Sequence, residues 1–467
     1  MYMKMKINMW LLLGALLSGA FFTACDDDDD PNLEAPITIT GVYLQDPASA
    51  VPSRNVEFVR LGQVIRITGS GFTGLRQVFV NGHKTYFNPV YVSDQNVLLQ
   101  LSGDTPTTEA AEEVRNTIRL VKSGGIEKTL DIEIREAAPR ISSISHTMPQ
   151  ADEVITVYGS GLKEIERVVF PGNIEVTGGD IVSDEDGEFF TVVVPSGLTE
   201  SGALFAFGAN GGAYSPAYFN FKEGVILDFD GLGQQGFWSW SETGSMINDE
   251  DLESAVIGEG TQSQGNYVAH RPARVAEFNV ANRRSEVWTA GNDVDDWRGQ
   301  LTPHIPATTP VNQVAFQFDV YVPQPWSGTG FLKLLLMNNY NGGEWAGYTY
   351  NYVPWIDNKE VVPFETEGWV TVTVPFSDFY GFSEPEEGEE FTFEDVLAAR
   401  EGATYKNFGI YFENSDFNLG QLTGNDADAE TEFAGSAFTQ NVYTDNWRVV
   451  PLEQPEYSDF PDEEEAE

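Results

Sequence analysis

Between residues 321 and 358 large rings alternate with amides and acids. The rings are Tyr321, Trp326, Tyr340, Trp345, Tyr348, Tyr350, Tyr352 and Trp355, and among them stand Asn338, Asn339, Asn341, Glu344, Asn351, Asp357 and Asn358. Gly342, Gly343 and Gly347 make part of the stretch loop-like, and aromatics in wet, glycine-rich loops are poorly explained by core packing. A ring offers a flat apolar face, while an amide or carboxylate offers donors and acceptors beside it. A ligand with an apolar face and a hydroxyl rim, such as a pyranose ring, suits that mixture. The candidate contacts are Trp326, Trp345, Trp355, Tyr352, Tyr350, Asn339, Asn351 and Glu344. Trp326 leads them, because Pro323-Gln324-Pro325-Trp326-Ser327-Gly328 reads as a stiff loop tip between two strands. Trp369 and Trp447 lie in alternating strands and are expected mostly in the core, whereas Trp238 and Trp288 are open to either reading.

Composition narrows the partner. The chain has 467 residues, with 26 Lys plus Arg against 72 Asp plus Glu, a formal charge of −46. A nucleic-acid binder needs a basic patch, and adhesion to an anionic membrane by charge is equally disfavoured. Hydrophobic residues at 41% and aromatics at 13% describe a folded chain. Cys25 is the only cysteine, so neither an intramolecular disulfide nor a cysteine-type zinc site can form. No cofactor is expected. A structural Ca²⁺ near Asp228, Asp230 and Asp445 is weighed against these acids simply capping turns, and the capping is preferred.

The elements that must position the aromatics read as strands. Val64-Ile65-Arg66-Ile67-Thr68-Gly69-Ser70-Gly71-Phe72 recurs ninety positions later as Val154-Ile155-Thr156-Val157-Tyr158-Gly159-Ser160-Gly161-Leu162, and Val78-Phe79-Val80 aligns with Val168-Val169-Phe170. Asn81-Gly82 predicts a tight hairpin in the first copy; Pro171 makes that turn less regular in the second. From residue 223 strands are expected at Val225 to Phe229, Glu277 to Val280, Val314 to Val322, Phe331 to Met337, Trp369 to Val374, Phe408 to Phe412 and Asn441 to Val450, with a short helix near Phe393 to Arg400. In Val314 to Val322 the residues Val314, Phe316, Phe318 and Val320 face one way, and Ala315, Gln317, Asp319 and Tyr321 face an open side or a second layer. The fold class is all-β: tandem immunoglobulin-like sandwiches, at 36–138 and 139–222, then a large C-terminal β-sandwich or jelly roll at 223–453 and an acidic tail at 454–467.

At the start, Lys4 and Lys6 precede the apolar run Ile7 to Phe22, the layout of a secretory signal. Phe22-Thr23-Ala24-Cys25 resembles a bacterial lipobox, which implies a signal at 1–24 and lipid on Cys25, with an acidic tether at 25–35. The run Asp26 to Asp30 resembles the surface-export signal of Bacteroidota lipoproteins. The glycine turns and the strand ending in Asn81-Gly82 resemble the IPT/TIG family of immunoglobulin-like domains. Together with the closing Tyr443-Thr444-Asp445-Asn446-Trp447-Arg448-Val449-Val450, the whole resembles the multimodular surface glycan-binding proteins of Bacteroidota polysaccharide utilisation loci.

That resemblance implies a non-catalytic, lipid-anchored protein facing outward from the outer membrane. It implies capture of a polysaccharide beside a TonB-dependent transporter and a companion surface lipoprotein. A β-glucan is the first expectation, with β-mannan and xyloglucan as alternatives. The immunoglobulin-like pair is read as spacers first and as additional binding modules second. A jelly-roll glycoside hydrolase is the main rival, but no compact Glu-x-Asp-x-x-Glu strand is present, and Asp293, Asp295 and Asp296 lie in a loop-like run. A protein-binding adhesin is the other rival.

Overall fold

Alternation of β-branched and polar residues, broken by glycine at points of close approach, builds the first two domains. The computed structural model describes residues 33–45, 53–208, 210–232, 247–258, 263–271, 284–289, 296–339, 345, 347–385, 388–453 and 455. Cys25, Glu344, Trp238, Trp240, the strand expected at Glu277 to Val280, and nearly all of the acidic tail lie outside them. The chain divides into two compact units at Ala138/Pro139.

The first unit is a sandwich. One sheet aligns Thr38–Leu44, Val64–Ser70 and Asn96–Gln100; the other aligns His83–Thr85, Leu75–Val80, Thr117–Lys122 and Glu127–Asp131. Val80 pairs with His83, and Asn81 and Gly82 both take positive φ, so the two-residue hairpin forms. A Cβ at Gly69 would strike the Thr38 carbonyl, and one at its counterpart Gly159 would strike that of Arg140. The repeat keeps glycine there because a neighbouring strand passes too close for a side chain.

Residues 139–222 form the second copy, with sheets Arg140–Ile144, Val154–Ser160, Phe189–Val193, Ile181–Ser183 and Ile174–Thr177, Ile165–Phe170, Phe205–Gly208, Gly211–Tyr214. Its hairpin also closes, over a longer loop: Phe170 pairs with Ile174, and positive φ falls on Gly172 and Asn173 after Pro171.

The C-terminal domain is a sandwich of two antiparallel sheets. One aligns Val225–Leu227, Val442–Pro451, Val314–Tyr321 and Val370–Pro375; the other aligns Arg284–Trp288, Gly409–Glu413, Phe331–Leu335 and Thr349–Tyr352. Phe316, Phe318, Leu332, Leu334, Ile410, Phe412 and Trp447 meet in the core between them. The expected helix is present as Phe393–Glu401, its start fixed by a reciprocal capping box of Thr392 and Asp395.

Val314–Tyr321 is buried along its whole length. Its polar face is covered by the second immunoglobulin-like domain through a hydrogen-bonded network. His146 bonds Glu153 Oε1 through Nδ1 at 2.8 Å and Asp319 Oδ2 through Nε2 at 3.1 Å. Arg448 donates to Asp319 Oδ1 at 2.8 Å and to the Thr147 hydroxyl at 3.0 Å. The Thr371 amide donates to the Ser145 carbonyl, and the Thr147 amide donates to the Thr371 hydroxyl, each within 2.9 Å. Burial disfavours the His146 imidazolium, but Asp319 and Glu153 more than offset it and hold its pKa at about 9. Arg448 and His146 in turn hold the Asp319 carboxyl well below its ordinary value despite its burial. The second domain is thereby welded to the third by charges that need each other.

Candidate functional site: the edge strand of the second sheet

Thr349–Tyr352 is an edge strand, paired among the described residues only with Phe331–Leu335. Alternation sends its side chains to both faces of the sheet. Tyr350 and Tyr352 share a face with Leu334 and Leu332, whereas Thr349 and Asn351 lie opposite Leu335 and Lys333 on the other.

On the core-facing side the rings wedge against short 3₁₀ turns. Tyr350 packs on Phe379 with centroids 5.9 Å apart, and Tyr348 on Phe382 at 4.8 Å. The Tyr348 ring lies over Gly381, where a Cβ would collide with it. Burial, with Asp378 and Tyr380 nearby, pushes the Tyr350 phenol up to about 12. Burial also raises Tyr352 and Tyr380 above the ordinary phenol value. All three therefore remain hydroxyl donors near neutral pH.

The opposite face is polar and aromatic, and Lys333, Glu413, Trp288, Leu335, Tyr411 and Asn351 on it are buried. Lys333 Nζ meets Glu413 Oε2 at 3.1 Å with both side chains fully buried. Ser415 donates to Glu413 Oε1 at 2.6 Å. Trp288 lies over Gly409 and donates through Nε1 to Glu286 Oε2 at 3.0 Å. Trp288, Leu335 and Tyr411 form a small cluster separate from the main core. At the margin, Trp345 is half-buried, packed on Phe331 and Phe417 with both centroids at 5.3 Å, and Lys333 Nζ lies 5.8 Å from its ring centre. The cation beneath the ring fixes its tilt. Asn351 donates to the Tyr380 hydroxyl at 3.3 Å, while its own carbonyl oxygen is buried without a hydrogen-bond partner.

The structure corrects two leading candidates. Trp326 is fully buried: its backbone pairs with Phe364, its Nε1 donates to the Thr329 carbonyl at 2.8 Å, and its ring stacks on Phe412. The Pro-Gln-Pro loop folds back and uses the indole as a plug. Trp355 is equally sealed, donating to the Gly330 carbonyl at 2.8 Å and packing on Phe417 and Phe433. Neither ring can meet a ligand. Tyr352 stays half-buried against Phe318 and Trp326, and Tyr350 is half-buried beside it. Asn339 is exposed, with its amide on the Met337 carbonyl. Trp369 and Trp447 are buried.

Tyr350 and Tyr352 thus lie on the core-facing side of the edge strand, Asn351 on the other side, and Trp345 at the margin by Lys333. The sequence reading missed Lys333, Glu413 and Tyr380. A lone lysine within the apolar strand Phe331–Leu335 and a lone glutamate ending Gly409–Glu413 were the available signals. Away from this site, Asp228 Oδ1 accepts the amides of Asp230, Gly231 and Leu232 within 3.0 Å, the geometry of a turn cap. No group of three His, Cys, Asp or Glu among the described residues is placed to hold a metal ion.

Residues 219–451 match the family described as the surface glycan-binding protein B xyloglucan binding domain. An IPT/TIG domain-containing protein of Bacteroides ovatus is 22% identical over 284 residues, 59% of this chain and 52% of the relative. The chain therefore spans about half the length of that curated relative. The crystal structure of surface glycan-binding protein PbSGBP-B from Prevotella bryantii aligns with a TM-score of 0.57 at 17% identity, over 90% of this chain and 99% of that one. SGBP-B from a complex xyloglucan utilization locus in Bacteroides uniformis aligns with a TM-score of 0.46 at 17% identity, over 89% and 100%. The all-β architecture is shared with PbSGBP-B across nearly its whole length.

Proposed function

Because residues 219–451 belong to the surface glycan-binding protein B xyloglucan binding domain family, we propose that this protein captures an uncharged polysaccharide at the cell surface and does not cleave it. The observation that carries the reading is the Trp345 ring, partly exposed at the margin of the sheet above Lys333. The ring supplies a stacking face for the apolar side of a sugar. The family name points to xyloglucan, a β-glucan, so a β-glucan backbone is the ligand class that fits first. Cys25 carries the lipid that holds the chain to the outer membrane, and the bound glycan passes to a TonB-dependent transporter and its companion lipoprotein.

Glu413 argues against hydrolysis at this face, because Lys333 and Ser415 hold its carboxylate, whereas retaining chemistry needs a nucleophile and an acid facing one bond. Native gels containing xyloglucan, mixed-linkage β-glucan or β-mannan test the reading. Retardation in a β-glucan gel, without release of reducing sugar from the same polymer, is the expected result. Migration unchanged in every gel refutes glycan capture, and sugar release refutes the non-catalytic reading.

A further inference from the structure

The first immunoglobulin-like domain carries three large side chains in water on one connection between its sheets. The chain leaves the hairpin strand His83–Thr85 and crosses to Asn96–Gln100 in the other sheet. Along the crossing Tyr86 is 81% exposed, Val90 83% and Tyr91 57%. From Thr85 to Ser93, between Lys84 and Asp94, no residue is charged.

The connection is held at both ends and in its middle. Thr85 pairs with Val78, and Val92 bridges to Val97. Phe87 packs, partly buried, against the core of the domain. Asn88 closes the turn between them. Its side-chain oxygen accepts the Val90 amide at 3.0 Å, and its carbonyl accepts the Tyr91 amide at 3.0 Å. The Val92 amide donates to the Pro89 carbonyl at 3.1 Å. The exposed side chains therefore stand on a backbone already in place, and binding through them orders little beyond their own rotamers.

Folding does not call for these rings. The second copy makes the corresponding crossing, from Ile174–Thr177 to Ile181–Ser183, through Gly178-Gly179-Asp180. No residue from Ile174 to Ser183 is aromatic. Apolar side chains gathered on one exposed turn, where the scaffold closes without them, mark a binding surface.

We propose that this connection is a second sugar-contact site, taking the uncharged polysaccharide that the C-terminal domain captures. The proposal rests on the glycan-binding reading above. Charge selects the occupant: a chain of −46 repels polyanions and a second copy of itself, and the neutral stretch from Thr85 to Ser93 offers them no counter-charge. A phenol carries an apolar face and a hydroxyl, the same two features that a pyranose ring presents. Tyrosine supplies that area with only two rotatable bonds to fix. A polymer held by the C-terminal domain becomes an intramolecular partner for the rest of the chain. A contact too weak to hold a short sugar by itself then still adds to the retention of a long one.

Affinity electrophoresis of the full chain in gels of xyloglucan and of mixed-linkage β-glucan tests this, beside calorimetric titration of a xyloglucan heptasaccharide. In the gel that retards wild type, Tyr86→Ala/Tyr91→Ala should be retarded about threefold less or weaker still. Its thermal midpoint should stay in place, because both side chains lie in water. Tyr86→Phe/Tyr91→Phe keeps the rings and should run close to wild type. The heptasaccharide should bind the alanine pair as it binds wild type, since it is held at the C-terminal site. Retardation of the alanine pair equal to wild type overturns the proposal and leaves the C-terminal site standing; a loop that docks a protein gives this same result. Equal weakening of polymer and heptasaccharide also overturns it, because the substitutions then act through the C-terminal domain. No retardation of wild type in either gel contradicts both this proposal and the glycan-binding reading.

Discussion

A tryptophan's value to a ligand depends on which of its faces the fold leaves uncovered, and Trp326 and Trp345 separate on that point. Trp326 is a fully buried plug whose indole N–H is satisfied by the Thr329 carbonyl. Trp326→Ala should therefore destabilise the chain by about 3–5 kcal/mol, the usual cost of emptying a large aromatic site. Chemical denaturation of the full chain measures this; a loss below about 1 kcal/mol contradicts the plug. Trp345 packs on Phe331, Phe417 and Lys333 and is only partly buried. Trp345→Ala should leave the denaturation midpoint nearly in place and weaken glycan binding at the edge strand about tenfold or more, about 1.4 kcal/mol.

At the scale of elements, the pH response belongs to the network around Val314–Tyr321. His146 has its folded-state pKa raised from 6.5 to about 9. A histidine raised in this way adds stability that is fully present below about pH 6.5 and is lost as pH climbs through about 9. Thermal melts of the full chain should fall over that interval, and His146→Gln should flatten the fall. An equally steep fall in the variant would place the titration elsewhere. The same network shows what periodicity conveys. Alternation in Val314 to Val322 assigned the core face, because Val314, Phe316, Phe318 and Val320 follow the pleat. The same alternation leaves the partner of the other face unspecified, because His146 lies 173 positions from Asp319 and no local pattern encodes that meeting. The repeat was legible through Gly69 and Gly159, where backbones pass too closely for a side chain. Trp326 misled because Pro-Gln-Pro marks a turn correctly but says nothing of the loop folding back to pair with Phe364. Asn351 was legible by residue type, whereas Lys333 and Glu413 needed the register that joins distant strands.

For the molecule as a whole, two domains of unit 139–467 share buried charges, so the chain from Pro139 onward behaves as one body rather than as a spacer with a separate head. That body carries the edge-strand site of the C-terminal sandwich. An uncharged polymer is the ligand that a surface of net charge −46 leaves free to approach. The central claim is that sugar meets the protein at the edge strand Thr349–Tyr352, and a crystal structure of the full chain with a xyloglucan oligosaccharide tests it most directly. The account predicts a pyranose ring stacked on Trp345, at the margin of that strand. A sugar bound in the C-terminal domain away from Trp345 would contradict it.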